Sequence, residues 1–480
     1  MVVIAILLGG NAESQTCSCG GLLDTLMVKI ETDYAGYIHK VVEAGKLPAY
    51  NNFKKELQLE AAKHSYSDCY SVLNSFAEYF KDGHVFVVEF PATTPQQSDS
   101  LKAFIKHYEL PADYESTLTT KTGHDAIEGI WKDALGQQIA IIKVKENAFY
   151  GVTQQTNVAG WQPGMVRFEL EKTPDGAYNV TYYKNGFAKI HFAGEHIYKN
   201  TLFSFGVYKL AKMLPPNPEA AYINFNNPAL PFMKVIDKNN LLLTIPSALV
   251  ESRNLDSVLD IYDSILKITP NLIIDIRGNG GGNNIWGRLL YIANTIVHPP
   301  LVKKDGDDFL LLASRDDADY MRDRMQAFYK SIKDTAGITF YENLINKINS
   351  NLGKITGFSY YISHPDTATR IVMPYPKQVS IIIDKGVASA AEALLIQARA
   401  TSNKVVLYGT NTWGMIDYMN VNTLPLPCGD NKIFYFGYPV YFAKDIKTNP
   451  RNPTGIKPDV YIPANVTDWV KWVADDYNKK

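Results

Sequence analysis

Cysteine is scarce, with four in 480 residues at positions 17, 19, 69 and 428. Four so scattered cannot build a disulfide framework or a four-cysteine zinc site, and Cys17-Ser-Cys19 is tighter than zinc spacing allows. Cys17 or Cys19 could pair with Cys69 in an oxidising compartment; unpaired thiols are the equal alternative. Net charge is missing too. The 48 Lys and Arg against 49 Asp and Glu leave −1, so no global field favours nucleic acid or acidic lipid. No apolar run approaches the roughly 20 residues of a membrane-crossing helix, which argues against membrane insertion. The run at the start, Val2 to Leu8, is seven residues. It resembles the core of a secretory signal peptide over 1–16, without the positive n-region; a buried N-terminal strand is the other reading. On the first reading the protein is exported, periplasmic or extracellular. Internal repeats and low-complexity tracts are also absent.

What is present is an ordinary globular composition, 46% hydrophobic and 20% charged, in a chain long enough for about three domains. From about Gly21 to Phe80 apolar residues recur at spacings of three and four, which predicts a small helical bundle over 17–95. It ends at Lys81-Asp82-Gly83-His84, where Val85 to Val88 turns strand-like. Pro91 to Gln97 reads as a connection. Within 96–215 the runs QQIAIIKV, AFYGVT, MVRFELE, YNVTYYK and AKIHFAG predict a β-rich domain, a small barrel or sheet. Glu128-Gly-Ile-Trp131 within it is read as packing, and the aromatic strands leave room for a carbohydrate or lipid binder. Prolines 215, 216 and 218 mark a boundary.

Over 216–465 strand-like and helix-like runs alternate: LLLTIPS, LDSVLDIYDSILKI, NLIIDIRG, NNIWGRLLYIANTIV, VSIIIDKG, AAEALLIQARAT and KVVLYGT. This predicts an α/β domain with a largely parallel sheet. Polar helical material from about Asp319 to Lys354 reads as an insertion, and 466–480 as a helical tail. Two turns stand out. Asp275-Ile-Arg277-Gly-Asn279-Gly280-Gly281-Gly282 links a strand to a helix and could offer amides to an anion or to a reaction oxyanion. It is neither GxxxxGK[ST] nor GxGxxG. Gly386-Val-Ala-Ser389-Ala-Ala-Glu392 fits a helix capping box, or a serine nucleophile at a helix start.

The segments NLIIDIRGNGGG, SIIIDKGVASAAEALL, VVLYGTNTWG and TGIKPDVYIP resemble, in that order, the core motifs of the tail-specific or C-terminal-processing serine peptidases. The resemblance covers about Leu241 to Pro463. It implies a ClpP/crotonase-like core, Ser389 as nucleophile, and an oxyanion hole from Ala390 and Gly281 or its neighbour Gly280. The sequence departs from the processing branch at its lysine, where Met415 stands; a thioether cannot accept a proton. The sequence instead resembles the tricorn-core-like branch, whose base is an upstream histidine; that resemblance implies His84 as the candidate general base, an imidazole neutral at pH 7. That branch has a hydroxyl residue before the histidine, and here Gly83 is found. The orienting acid is expected upstream of Gly455-Ile-Lys-Pro458-Asp459. Asp445 is the first choice, with Asn449, Asn452 and Asp417 behind it; Asp459, Asp275 and Arg277 are read as structural. The resulting expectation is a serine peptidase acting on peptide or protein through an acyl-enzyme, with no metal and no organic cofactor. The alternative is a decayed peptidase fold that binds peptide or another ligand. Oligomeric state is open.

Overall fold

The structure, a computed structural model, describes residues 17–89, 95–120, 123–203, 209–215, 218–293, 309–358, 373–426 and 434–480. The expected signal segment 1–16, Cys428 and residues 91–94 of the expected connection lie outside them. A helix occupies Pro95–Lys102 where a connection was expected, its proline at the first position, where the missing N–H costs nothing.

Among the described residues three sheets organise the chain. The first has six strands in the order Phe232–Val235, Asn240–Thr244, Asn271–Asp275, Gln378–Ile383, Val405–Gly409 and Val460–Tyr461. All neighbours are parallel except the first pair. Its central strands are apolar at nearly every position because both faces are covered, as in parallel sheets generally. Leu241, Leu243, Leu272, Ile274, Ile381 and Leu407 point to the side of helices Ser252–Ile261 and Ala390–Thr401. Leu242, Ile273, Ile382 and Tyr408 point the other way, onto Val470 and Val473 of helix Trp469–Asn478.

The second sheet is antiparallel and was only partly legible. Strand Phe434–Ala443 lies at its centre, flanked by Tyr418–Pro425 on one side and by Phe86–Glu89 and Phe309–Leu312 on the other. The helices Cys19–Asp33, Leu47–Ala61 and Tyr70–Glu78 cover one face, packing Leu23, Ile30 and Phe76 in one core with Phe436, Tyr438 and Phe442. A disulfide joins Cys19 to Cys69 within this bundle. The inserted helices around Thr335–Asn349 pack Tyr341 and Ile348 in a further core with Leu311 and Tyr441. The N-terminal region therefore contributes a strand to a sheet built mainly from the C-terminal half.

The third sheet has eight antiparallel strands spanning residues 129–214, curled into a nearly closed barrel. The five runs expected there are strands Gln138–Lys145, Ala148–Gln155, Val166–Lys172, Tyr178–Tyr183 and Lys189–Glu195. Trp131 is fully buried and donates from Nε1 to the Ile127 carbonyl, a packing role. Among the described residues no helix is long and apolar enough to cross a membrane.

Candidate active site

The loops after the parallel strands Asn271–Asp275, Gln378–Ile383 and Val405–Gly409 meet at one end of the first sheet, where open α/β sheets place their ligands. Asp384 ties two of them together. Its Oδ1 accepts the Gly278 and Gly386 N–H groups, both at 2.9 Å, and burial lifts its carboxyl to about 6. Gly386 needs its missing side chain, since a Cβ there would lie 2.7 Å from the Tyr198 ring and 2.8 Å from Gly278 Cα.

Ser389 follows at φ +55° and ψ −119°, a strained conformation for a residue with a Cβ. The expected capping box is present, with the Glu392 carboxylate accepting the Ser389 N–H at 3.1 Å. That carboxylate does more: it also accepts from Thr412 Oγ1 (2.5 Å), Gly414 N–H (3.0 Å) and Met415 N–H (2.7 Å). Glu392 is fully buried, and desolvation raises its pKa against these four donors. It thus straps the third loop to the serine turn.

The Ser389 hydroxyl lies 3.0 Å from His84 Nε2, across 305 residues of sequence. His84 Nδ1 is 2.8 Å from the Tyr418 carbonyl. A carbonyl can only accept, so Nδ1 carries the proton, Nε2 presents its lone pair, and the hydroxyl donates to it. Burial lowers the pKa of this imidazole, partly countered by Asp82. It is neutral at pH 7.

Asp82 was not singled out from the sequence. Its Oδ1 accepts the His84 backbone N–H at 3.1 Å and lies 4.0 Å from Nδ1. Its Oδ2 accepts the Tyr34 hydroxyl at 2.6 Å and faces the Lys40 ammonium at 3.6 Å. The aspartate two residues before a histidine is the sequence signal that was available. The carbonyl that fixes the ring had none, since any residue supplies one.

Asp445 does not take the place expected for it. It is half exposed and pairs with Arg451 Nη2 at 2.6 Å, and the neighbour of Nδ1 is the Tyr418 carbonyl instead. Arg451 also pairs with buried Asp417, which accepts the Arg451 and Asn452 N–H groups at 2.7 Å each. Asn452 Oδ1 accepts the Ile416 and Asp417 N–H groups, while Asn449 lies against Asp445. These residues brace the turn before Tyr418 and do not touch the imidazole. Asp459 accepts the Leu407 N–H and pairs with Arg399, and Arg277 forks onto Glu219 and Asp275.

Of the expected oxyanion amides, the Gly281 N–H is engaged by Asn279 Oδ1 at 3.0 Å. Gly281 sits at φ +92°, so close that a Cβ would lie 2.9 Å from both the Ala390 nitrogen and Ser389 Cβ. Ala390 heads its helix, where an N–H has no intrahelical acceptor. Met415 is buried against Gly83, where a Cβ would meet its Sδ and Cε at 2.6 Å. The two departures from the family pattern thus occupy one space. Among the described residues no group of three or more His, Cys, Asp or Glu is arranged to hold a metal ion.

Residues 241–462 match the family model described as peptidase family S41. Over that stretch, a little under half of its length, the chain is similar to that peptidase family. No curated protein matches. Solved structures that resemble it include mature CPAF complexed with lactacystin, at 13% identity and TM-score 0.49, covering 96% of this chain and 97% of that one. A lipoprotein from Streptococcus agalactiae, at 11% identity and TM-score 0.39, covers 96% of each chain. A putative peptidase from Parabacteroides merdae ATCC 43184, at 11% and 0.41, also covers 96% of each.

Proposed function

We propose that this protein hydrolyses peptide bonds in peptide or protein substrates through an acyl-enzyme on Ser389, with His84 as general base. The observation that carries this reading is the 3.0 Å contact between Ser389 Oγ and His84 Nε2, with the tautomer fixed by the Tyr418 carbonyl. Ser389 Oγ bonds to the substrate carbonyl carbon as its proton passes to Nε2, and the carbonyl electrons move onto oxygen. The Ala390 N–H and the Gly280 N–H receive that oxyanion, while Gly281 supplies the close approach of the loop. Collapse expels the amine, which takes the proton from His84, and water then releases the acyl group by the same steps. Asp82 favours the transient imidazolium at 4.0 Å. The early apolar run and the Cys19–Cys69 disulfide support export to an oxidising compartment.

The test is reaction with a serine-directed fluorophosphonate together with turnover of a casein or peptide panel. Labelling at Ser389 and cleavage, both lost in Ser389→Ala, are expected. A folded wild-type protein that does neither overturns this reading in favour of a decayed peptidase fold that binds peptide or another ligand.

A further inference from the structure

The β-rich domain reaches the site from behind. Lys209, which precedes strand Leu210–Leu214, is buried, and its ammonium donates to the Pro246 carbonyl and, at 3.3 Å, to the Gly278 carbonyl. These carbonyls belong to two loops, after strands Asn240–Thr244 and Asn271–Asp275. The same loops are stitched by Asn279 Nδ2 to the Ile245 carbonyl at 2.9 Å and by a bridge between Ala248 and Gly282. Between the stitches lie Gly280 and Gly281, and Gly281 packs against Ser389 and Ala390.

We propose that Lys209 is a positioning residue for the oxyanion-binding turn, holding Pro246 and Gly278 at a fixed separation so that the glycine amides stay aligned with Ser389. The inference rests on the peptidase reading of that turn. A point charge with three donors suits two converging carbonyls, and an apolar side chain of similar length would leave them unpaired in a buried place. The groups facing Lys209 are Glu195 on its own domain, Lys199, and Asp384 from the serine loop; Lys199 is itself paired with Asp275 at 2.7 Å. Burial, with Lys199 adding to it, brings the Lys209 ammonium down to about 8, so the strut weakens above that pH. Glu195, lifted by burial to about 8, titrates in the same range.

The experiment compares wild type with Lys209→Met and Lys209→Gln in three readouts: kcat and KM against pH, fluorophosphonate labelling rate, and amide hydrogen exchange over residues 276–283. A slackened turn should lower kcat and labelling about 10- to 100-fold with KM nearly unchanged, because the lost alignment acts on the transition state. Lys209→Gln, which keeps a donor without the charge, should fall between and lose the decline of kcat above about pH 8. Exchange over 276–283 should quicken in both variants, while that over 138–172 stays as in wild type. Wild-type kcat in Lys209→Gln with the alkaline decline intact assigns that decline to Glu195 or another group and overturns the inference. Unchanged exchange over 276–283 overturns it as well, even if wild type proves inactive; inactivity with quickened exchange sinks only the peptidase reading.

Discussion

The two halves of the site are built in opposite ways. Ser389 and the glycine turn sit on loops that follow adjacent parallel strands, each loop set by the strand before it and the helix after it, and Glu392 lies in the first turn of the helix after Ser389. His84 comes from a helical bundle more than 300 residues away, and reaches the serine only because strand Phe86–Glu89 pairs with Phe434–Ala443. The serine half is built on loops of one parallel sheet, whereas the histidine half depends on pairing between strands from the two ends of the chain. Damage to the first should therefore silence chemistry while sparing the fold, and damage to the second should affect both.

The largest effect is expected from Ser389→Ala. Removing the covalent path should lower kcat by about 10⁴-fold or more, leaving only binding and oxyanion contacts. The melting temperature should barely move, since the change removes at most a helix cap worth about 1 kcal/mol. Retained turnover on the peptide panel would reduce Ser389 to a cap.

His84→Ala should cost about 10³-fold or more in kcat/KM, and also stability of about 1–3 kcal/mol, because the buried Tyr418 carbonyl loses its donor. Wild-type activity should fall as pH drops and the imidazole gains a proton. Burial lowers the His84 pKa, so this acid arm should lie below the ordinary value of about 6.5, with a plateau through pH 7. An arm above 7 would indicate a different base. Met415→Lys placed on His84→Ala should rescue nothing, since a lysine there is a base only if burial removes its proton.

The unequal legibility of the two halves has a physical origin. NLIIDIRGNGGG and SIIIDKGVASAAEALL announce strand, turn and helix because each needs its own residue types: β-branched runs for two-faced burial, glycine for close approach, small residues at the helix start. Asp82-Gly83-His84 could be singled out, but its supports could not. The aromatic run FYFGYPVYFA forms the central strand of the second sheet, and its partners lie at both ends of the chain, beyond any local period. The acceptor for His84 Nδ1 is a main-chain carbonyl, which has no side-chain signature. Reasoning by side chain alone therefore settled on Asp445.

The Gly83–Met415 contact sharpens the comparison at smaller scale, since it joins the two halves. Gly83→Ser should destabilise the protein by about 1–3 kcal/mol through overpacking against the thioether. Gly83→Ser combined with Met415→Ala should recover most of that loss, a coupling measurable by a denaturation double-mutant cycle. Additive effects would mean that the two departures from the family pattern arose independently of each other's bulk.

The smallest effect should come from Asp445→Ala. Its carboxylate pairs with Arg451, which keeps a second partner in Asp417, so the turn before Tyr418 retains Asp417's bonds to the Arg451 and Asn452 amides. A half-exposed pair of this kind contributes about 0–1 kcal/mol. With His84 held by Tyr418 and Asp82, kcat/KM should change less than about threefold and the acid arm should not shift. A loss of more than about tenfold, with the arm displaced, would mean that Asp445 governs the imidazole through the Arg451 turn. The histidine half would then depend on an ion pair at the surface as much as on the sheet beneath it, and activity should fall with added salt, which screens exposed pairs far more than buried ones.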